Sequence, residues 1–219
     1  MEDLNIIFDL DNTCICIIKD DLAYEVLQSI EYKKNINRLQ ERFKRFTLVD
    51  PKVGKHNPGD GNLIDCFIII RPKLLEAIEF FEENVKSVNI WSAGVPKYVH
   101  NIKDILFPNN NNMIVFTSID TSIDKDKTTT KNLNNILPFI KNANLQNTII
   151  VDDKLETGSL NKKNLVLCPE YKLKTLNDCL ENDNFFNELV NYIKNLKKIV
   201  DIRNVDKNLI NICKKNKYK

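Results

Sequence analysis

Short apolar runs alternate along the chain with longer stretches in which apolar residues recur at helical spacing. The short runs predict buried strands at residues 4–8, 64–70, 87–91, 113–116, 148–151 and 165–167. The longer stretches predict amphipathic helices at residues 20–46, 72–85, 98–106, 131–140, 183–200 and 206–213. Elements in this order are typical of an α/β fold, a Rossmann-like architecture in which helices cover both faces of one parallel sheet.

Residues 14–70 interrupt this alternation, and we expect them to form an insertion after the first strand. Turn chemistry at residues 50–51 and 57–61 brackets an excursion before the next apolar run. Residues 47–70 are predicted to form a hairpin-like wall. We expect a single domain over residues 1–219, with the insertion forming a wall region at the end of the first strand.

The composition is that of a chain that folds around a hydrophobic core. Hydrophobic residues make up 42% of the 219 residues and charged residues 28%, which excludes the disordered and fibrous classes. The net charge of +2 is too small to attract nucleic acid or an anionic membrane to the whole molecule. No apolar run approaches the roughly 20 residues that cross a bilayer, and the first residues lack the positive charge of a signal peptide. We expect a cytoplasmic or nuclear protein that is not secreted and has no membrane partner.

The 6 cysteines are scattered without paired CxxC spacing, and only His56 and His100 could join them as zinc ligands. No zinc site is expected. We predict reduced thiols that serve as packing residues.

A basic stretch lies within the insertion. It consists of Lys33, Lys34, Arg38, Arg42, Lys44 and Arg45. Two interpretations stay open, namely a docking face for an acidic or phosphorylated partner and a solvated helix face.

Acidic pairs follow two of the predicted strands. Asp9 and Asp11 come directly after the first strand, and Asp152 and Asp153 come after the strand 148–151. A lone aspartate in such a place is usually a helix cap. Parallel strands, however, bring their carboxyl ends to one edge of a sheet, so the four carboxylates are expected in one pocket. Because their repulsion needs compensation and Mg²⁺ prefers oxygen ligands, the sequence predicts a magnesium site that also receives a substrate phosphate.

Two further residues suit a phosphate. Ser92 follows the strand 87–91, so its hydroxyl and the following amide of Ala93 lie at a strand-to-helix junction, although a serine there can also be a simple cap. Lys131 follows three threonines at a predicted helix start, where a threonine cap is natural but a lysine opposes the helix dipole. A cation in this place either faces a ligand or is solvated.

These residues stand in motifs that occur in a recognisable order. The motifs are Asp9-Leu10-Asp11-Asn12-Thr13, Arg71-Pro72 before Ile90-Trp91-Ser92-Ala93, Lys97-Tyr98-Val99, Thr130-Lys131-Asn132-Leu133 and Ile149 to Asp153. Together they resemble the haloacid dehalogenase superfamily, and within it the FCP/SCP-type, NLI-interacting-factor-like phosphatases that act on the RNA polymerase II C-terminal domain. The resemblance covers most of the chain outside residues 14–65. It departs from the usual pattern at Asn12, where the family more often has an acidic residue.

The resemblance implies a role for each site residue. Asp9 would be the nucleophile that forms an aspartyl-phosphate, and Asp11 the general acid and base. Phosphate binding would fall to Thr13, Ser92, Ala93 and Lys131. Mg²⁺ would be held by Asp9, Asp152 and the backbone carbonyl of Asp11, with Asp153 orienting its waters.

The implied substrate is a phosphoserine or phosphothreonine in a protein or peptide, the RNA polymerase II C-terminal domain being one such partner. No partner nucleic acid is expected, but polynucleotide 3′-phosphatases and small-metabolite phosphatases on the same core stay open as alternatives. A non-enzymatic phospho-acceptor or binding module is a further alternative, against which the D-x-D-x-T spacing argues. A catalytically inactive scaffold is disfavoured because all the motif residues are present.

Overall fold

The computed structural model describes residues 2–19, 28–29, 33–34, 36–49, 63–123, 129–173, 183–196 and 201–208. Its strands are β1 (Asn5–Phe8), β2 (Ile15–Lys19), β3 (Phe43–Val49), β4 (Leu63–Ile70), β5 (Ser87–Trp91), β6 (Val115–Phe116), β7 (Ser122–Ile123), β8 (Thr129–Thr130), β9 (Thr148–Asp152) and β10 (Leu165–Leu167). Its helices are α1 (Ile36–Leu39), α2 (Leu74–Asn84), α3 (Pro96–Leu106), α4 (Leu133–Ile136) and α5 (Phe185–Asn195). Short 3-10 turns lie at Gln40–Arg42, Ser118–Asp120, Leu137–Phe139, Glu156–Ser159 and Ile202–Asn204.

A five-stranded parallel sheet in the order β10, β9, β1, β5, β6 forms the centre of the fold. Phe8 at the end of β1 is in register with Ile90 of β5 and with Val151 of β9. The residues that follow these positions therefore emerge at one height along one edge of the sheet. The predicted α/β architecture is confirmed.

The two faces of the sheet are buried by different helices. Phe8 packs in a cluster that contains Phe81 of α2 and Phe186 of α5. The preceding residue, Ile7, packs in a cluster with Leu133 of α4 on the other face of the sheet. This alternation follows from the pleat of a strand, in which successive side chains point to opposite faces. Phe81 and Trp91 are fully buried, and Phe80 is half-buried against the same cluster as Phe81.

The insertion forms a three-stranded antiparallel sheet in which β4 lies between β2 and β3. β3 and β4 pair antiparallel, as a hairpin would, although their connection at residues 50–62 lies outside the described residues. That the insertion forms a wall beside the site stays a prediction. The helix predicted over residues 20–46 is wrong from Phe43 onward, where β3 begins. There, pairing with β4 overrides the helical spacing. Residues 20–27, 30–32 and 35 are not among those described.

Other elements differ from the predictions in length. The helix predicted at 131–140 starts only at Leu133, because Asn132, not a threonine, accepts the capping hydrogen bond from the Asn134 amide at 3.1 Å. It becomes a 3-10 turn at Leu137. Residues 206–208 are not helical, and residues 209–213 and 197–200 lie outside the described part.

No described helix is long and apolar enough to cross a membrane. Cys14, Cys16, Cys66 and Cys168 are buried, as predicted for packing residues. Cys179 and Cys213 lie outside the described residues.

Candidate active site

The segment after β1 folds into a tight turn at the carboxyl edge of the sheet. The Asp9 amide donates to the Val151 carbonyl at 2.9 Å, and the Leu10 carbonyl accepts from the Cys14 amide at 2.8 Å. Asn12 has a φ of 61°, in the left-handed region that asparagine tolerates better than most residues. This backbone conformation gives a physical reason for the asparagine at the position where the sequence pattern departs from its family.

Lys131 bridges the two acidic segments. Its Nζ lies 2.5 Å from Asp9 Oδ1 and 2.8 Å from Asp152 Oδ2, and all three side chains are nearly fully buried. The side-chain Nδ2 of Asn161 donates to the Lys131 backbone carbonyl, while the side-chain Oδ1 of Asn161 accepts from the Leu133 amide at 3.1 Å. Asn161 thereby fixes the backbone that presents the lysine, and nothing in the sequence pattern pointed to it.

Burial and charge act against each other within this bridge. Burial raises the pKa of Asp9, the neighbouring Lys131 opposes this rise, and Asp152 adds to it. Burial alone would lower the pKa of Lys131, but the Asp9 and Asp152 carboxylates hold it above its ordinary value. Lys131 therefore keeps its proton and its positive charge, whereas Asp9 needs positive charge beside it to be ionised near neutral pH.

Asp153 brings a third carboxylate to the same place. One oxygen from each of Asp9, Asp152 and Asp153 lies within 4.8 Å of the others. The Asp153 amide donates to the Thr13 hydroxyl at 3.1 Å, and that hydroxyl donates to Asp153 Oδ1 at 3.4 Å. Thr13 is fully buried. The arrangement gives its side chain the role of orienting Asp153, while a contact between Thr13 and a phosphate stays a prediction.

The carboxylate of Asp11 accepts hydrogen bonds from two hydroxyl groups. Ser92 Oγ donates to its Oδ2 at 3.3 Å, and the Tyr98 hydroxyl donates to its Oδ1. Burial raises the pKa of Asp11, and these two hydrogen bonds oppose the rise. Burial and the nearby Asp11 charge both raise the pKa of Tyr98, so the phenol keeps its proton and remains the donor. The predicted metal contact of Asp11 was through its backbone carbonyl, and this contact stays a prediction.

The loop after β5 carries the predicted phosphate-binding residues. Ser92 is buried and accepts from the Gly94 amide at 3.0 Å, whereas Ala93 is exposed. A Cβ atom on Gly94 would lie 2.6 Å from the Tyr98 ring, so glycine lets the loop pack against the tyrosine that holds Asp11. The structure thus places Ser92 beside the acid, and phosphate binding by Ser92 and Ala93 remains a prediction.

Arg71 stabilises the turn after β1 by a hydrogen bond to its backbone. In the sequence, this residue was notable only as part of a motif. Its side chain is fully buried. Its Nη1 donates to the Thr13 carbonyl at 3.0 Å, and its Nη2 lies 2.9 Å from Asp183 Oδ2. Its guanidinium lies over the rings of Tyr171 and Phe185, at 5.3 Å and 4.7 Å from their centroids. Arg71 therefore joins the turn after β1 to the segment that begins α5.

The basic stretch is not uniformly a solvated helix face. Arg42 donates to the Ile70 carbonyl at 2.8 Å and to the Tyr171 hydroxyl at 2.6 Å, so it belongs to the packing of the insertion. Lys33 and Lys34 are exposed. The side chain of Arg38 lies outside the described part of the structure.

The sequence matches the family of NLI interacting factor-like phosphatases over residues 4–203. The chain belongs to this family. The predicted resemblance to the NLI-interacting-factor-like phosphatases of the haloacid dehalogenase superfamily is thereby confirmed. No curated protein sequence matches the chain.

Solved structures of phosphatase family members share the fold. The fission yeast RNA polymerase II CTD phosphatase Fcp1, bound to beryllium fluoride, is 19% identical with a TM-score of 0.59, and the match covers 87% of this chain and 49% of that one. Another structure of Fcp1, an essential RNA polymerase II CTD phosphatase, is 18% identical with a TM-score of 0.60, covering 99% of this chain and 62% of that one. This chain thus spans about half to three-fifths of the length of these structures.

Proposed function

We propose that this protein is a Mg²⁺-dependent phosphomonoester hydrolase in which Asp9 forms an aspartyl-phosphate. The observation that carries the proposal is the Lys131 bridge between Asp9 and Asp152, with Asp153 beside it. A nucleophilic carboxylate, a cation and two further carboxylates meet there at the carboxyl edge of a parallel sheet, the usual place for a ligand in such folds.

The residues at this edge suit a magnesium ion. Asp9, Asp152 and Asp153 offer oxygen ligands, the type that Mg²⁺ prefers, and Lys131 supplies a single positive charge against three carboxylates. The predicted ligand set, which also includes the Asp11 carbonyl, leaves room for a substrate oxygen. When bound, Mg²⁺ would neutralise the phosphoryl oxygens and keep Asp9 ionised.

In the proposed reaction, an oxygen of Asp9 attacks phosphorus and the bond from phosphorus to the ester oxygen breaks. Asp11 gives its proton to the leaving oxygen, and its burial, which raises its pKa, suits this role. Asp11 then takes a proton from water as the water attacks phosphorus, which releases inorganic phosphate and restores Asp9. Lys131 stabilises the charge on the phosphoryl oxygens, and Ser92 moves its hydroxyl from Asp11 to a phosphate oxygen.

Replacing Asp11 with asparagine should slow turnover according to the leaving group. An amide cannot protonate the leaving oxygen, so kcat for a phosphoserine peptide should fall at least about tenfold more than kcat for an aryl phosphate, whose leaving group needs little protonation. Steady-state kinetics with both substrates measures this. Equal losses on the two substrates would remove the general-acid role from Asp11.

The spacing of the motifs favours a phosphate on a chain over a small metabolite. No separate lid domain of roughly 100 residues fits between the motifs, and the described part of the insertion forms an antiparallel sheet of β2, β4 and β3. We infer that the substrates are phosphoserine or phosphothreonine in flexible, acidic or proline-containing peptides, of which the RNA polymerase II C-terminal domain is one. A cytoplasmic or nuclear location would suit such substrates.

A substrate panel tests this inference. With Mg²⁺ present, kcat/KM for phosphoserine peptides should exceed that for nucleoside monophosphates and 3′-phosphorylated oligonucleotides by at least about tenfold, a preference of about 1.4 kcal/mol. EDTA should remove all turnover, Mg²⁺ should restore it, and Zn²⁺ should restore it poorly. A tenfold preference for an oligonucleotide would replace the peptide assignment, and full activity in EDTA would exclude the metal from the reaction.

A further inference from the structure

Large apolar side chains stand in solvent close to the candidate active site. Ile119 and Ile123 are 78% and 74% exposed, and Leu155 is 66% exposed. We call these three residues the apolar rim. Scattered exposed hydrophobic residues are common in proteins and need no explanation singly. The rim differs because Ile119 and Leu155 lie in the segments that follow β6 and β9 of the parallel sheet, and Ile123 lies in β7, directly after the Ile119 turn.

Hydrogen bonds tie the first two rim residues to the site at both ends of their segment. On one side, the Ser118 amide donates to the Gly94 carbonyl at 2.9 Å, in the loop that carries Ser92. On the other side, Ser122 of β7 pairs with Thr130 of β8, the residue before Lys131. The segment with the two isoleucines therefore spans from the Ser92 loop to the catalytic lysine.

The turn that presents Ile119 is ordered by its own hydrogen bonds. The Asp120 carboxylate accepts from the Thr117 amide at 2.7 Å, and the Thr117 hydroxyl accepts from the Ile119 amide at 3.4 Å. The sequence then repeats the same four residues, Thr-Ser-Ile-Asp, at 117–120 and 121–124. An isoleucine recurs at the same place in each repeat, and each stands in solvent.

Leu155 lies in the loop that follows β9 and the acidic pair Asp152 and Asp153. It lies two residues after Asp153, and the chain between them is held by the Lys154 amide, which donates to Asp152 Oδ1 at 2.8 Å. Asn161 joins the same loop to the Lys131 backbone. The rim residues thus lie on the segments after β6 and β9, and hydrogen bonds join these segments to the loop that carries Ser92 and to Asp152.

We propose that the apolar rim binds an apolar side chain next to the phosphorylated residue of a peptide substrate. The inference rests on the proposed function, because it adds a specificity element to that site. A phosphate bound at Asp9 holds the peptide against the edge of the sheet, so the residues beside the phosphoserine must pass the loops that border it. Contact between an exposed isoleucine or leucine and an apolar side chain of the peptide removes apolar surface from water and so favours binding. A charged side chain in the same place provides no such contribution.

Paired phosphoserine peptides test the proposal. They are identical except that the residues on either side of the phosphoserine are leucine in one and serine in the other. The wild-type protein should turn over the leucine peptide with at least a tenfold higher kcat/KM, which corresponds to about 1.4 kcal/mol. In Ile119→Ser/Ile123→Ser, this preference should fall below about threefold. Phe139→Ser is the matched control and should keep the tenfold preference, since Phe139 is 68% exposed but lies on the segment that leads back to the start of β9.

An aryl phosphate assay and a binding measurement distinguish a failure of the rim proposal from a failure of the phosphatase proposal. If the wild-type protein hydrolyses the aryl phosphate but treats both peptides equally, the rim proposal is overturned and the phosphatase proposal stands. If it hydrolyses nothing, the phosphatase proposal fails, and dissociation constants of the two peptides on Asp9→Asn still decide whether the rim discriminates. Concentration-dependent dimerisation that the double substitution abolishes, without any change in peptide preference, would assign the rim to a second copy of the chain and overturn the proposal.

Discussion

Replacing Asp9 with asparagine should reduce kcat at least about 100-fold, a loss of about 2.7 kcal/mol in transition-state stabilisation. The amide has nearly the same shape and its oxygen can still accept from Lys131, so the fold should survive, but an amide is a poor nucleophile. Single-turnover and steady-state assays with an aryl phosphate measure the effect, because this substrate does not depend on protonation of its leaving group.

Asp104→Asn provides the matched control for that substitution. Asp104 lies on the exposed side of α3, where it pairs only with Lys103 at 3.3 Å, so its replacement should change kcat by less than about twofold. A folded Asp9→Asn protein that keeps more than a hundredth of the wild-type kcat would contradict nucleophilic catalysis by Asp9.

Replacing Lys131 with methionine should damage activity and stability together. The substitution keeps most of the side-chain volume but leaves Asp9 and Asp152 buried without their shared cation. Breaking a buried pair in this way costs about 3–5 kcal/mol of unfolding free energy. We expect kcat/KM to fall at least about 100-fold, because the phosphoryl oxygens lose a positive charge as well. Urea denaturation and steady-state kinetics measure the two effects.

A double substitution separates the two roles of Lys131. Lys131→Met leaves two buried carboxylates without their cation, and Lys131→Met/Asp152→Asn removes the charge of one of them. The free energy of unfolding should therefore recover in part, while kcat/KM stays low. Lys141→Met, at an exposed lysine, should leave both quantities unchanged. A Lys131→Met protein with wild-type stability and wild-type kcat/KM would mean that the bridge has neither role.

The carboxylates of the site were predictable from sequence because backbone geometry alone brings them together. Parallel strands in register place the residues after Phe8 and after Val151 at one edge, so the order of apolar and acidic residues was enough. Lys131 was found by its conflict with the helix dipole, and the structure gives it two carboxylate partners.

The partners of these residues were not predictable in the same way. Tyr98 lies 87 positions from Asp11, and Asn161 lies 30 positions from Lys131, so their contacts depend on how α3 and the loop after β9 pack. Helical spacing marks Tyr98 as a residue of an amphipathic helix but says nothing about where its hydroxyl points. The strand β3 was missed for a related reason, because its pairing with β4 is a tertiary interaction that local spacing does not encode.

The buried guanidinium of Arg71 links the turn after β1 to the start of α5, so we expect the two segments to unfold as one cooperative unit. If the segment around Asp183 detached, Arg71 would lose its counterion while still enclosed by the core, a state that costs several kcal/mol. Local opening of α5 alone is therefore penalised, and the amides around Thr13 and Phe185 would become accessible to hydrogen exchange only in a shared, larger opening. The turn that follows Asp9 is thus held in place by a residue that lies 112 positions after Arg71, near the end of the matched family region.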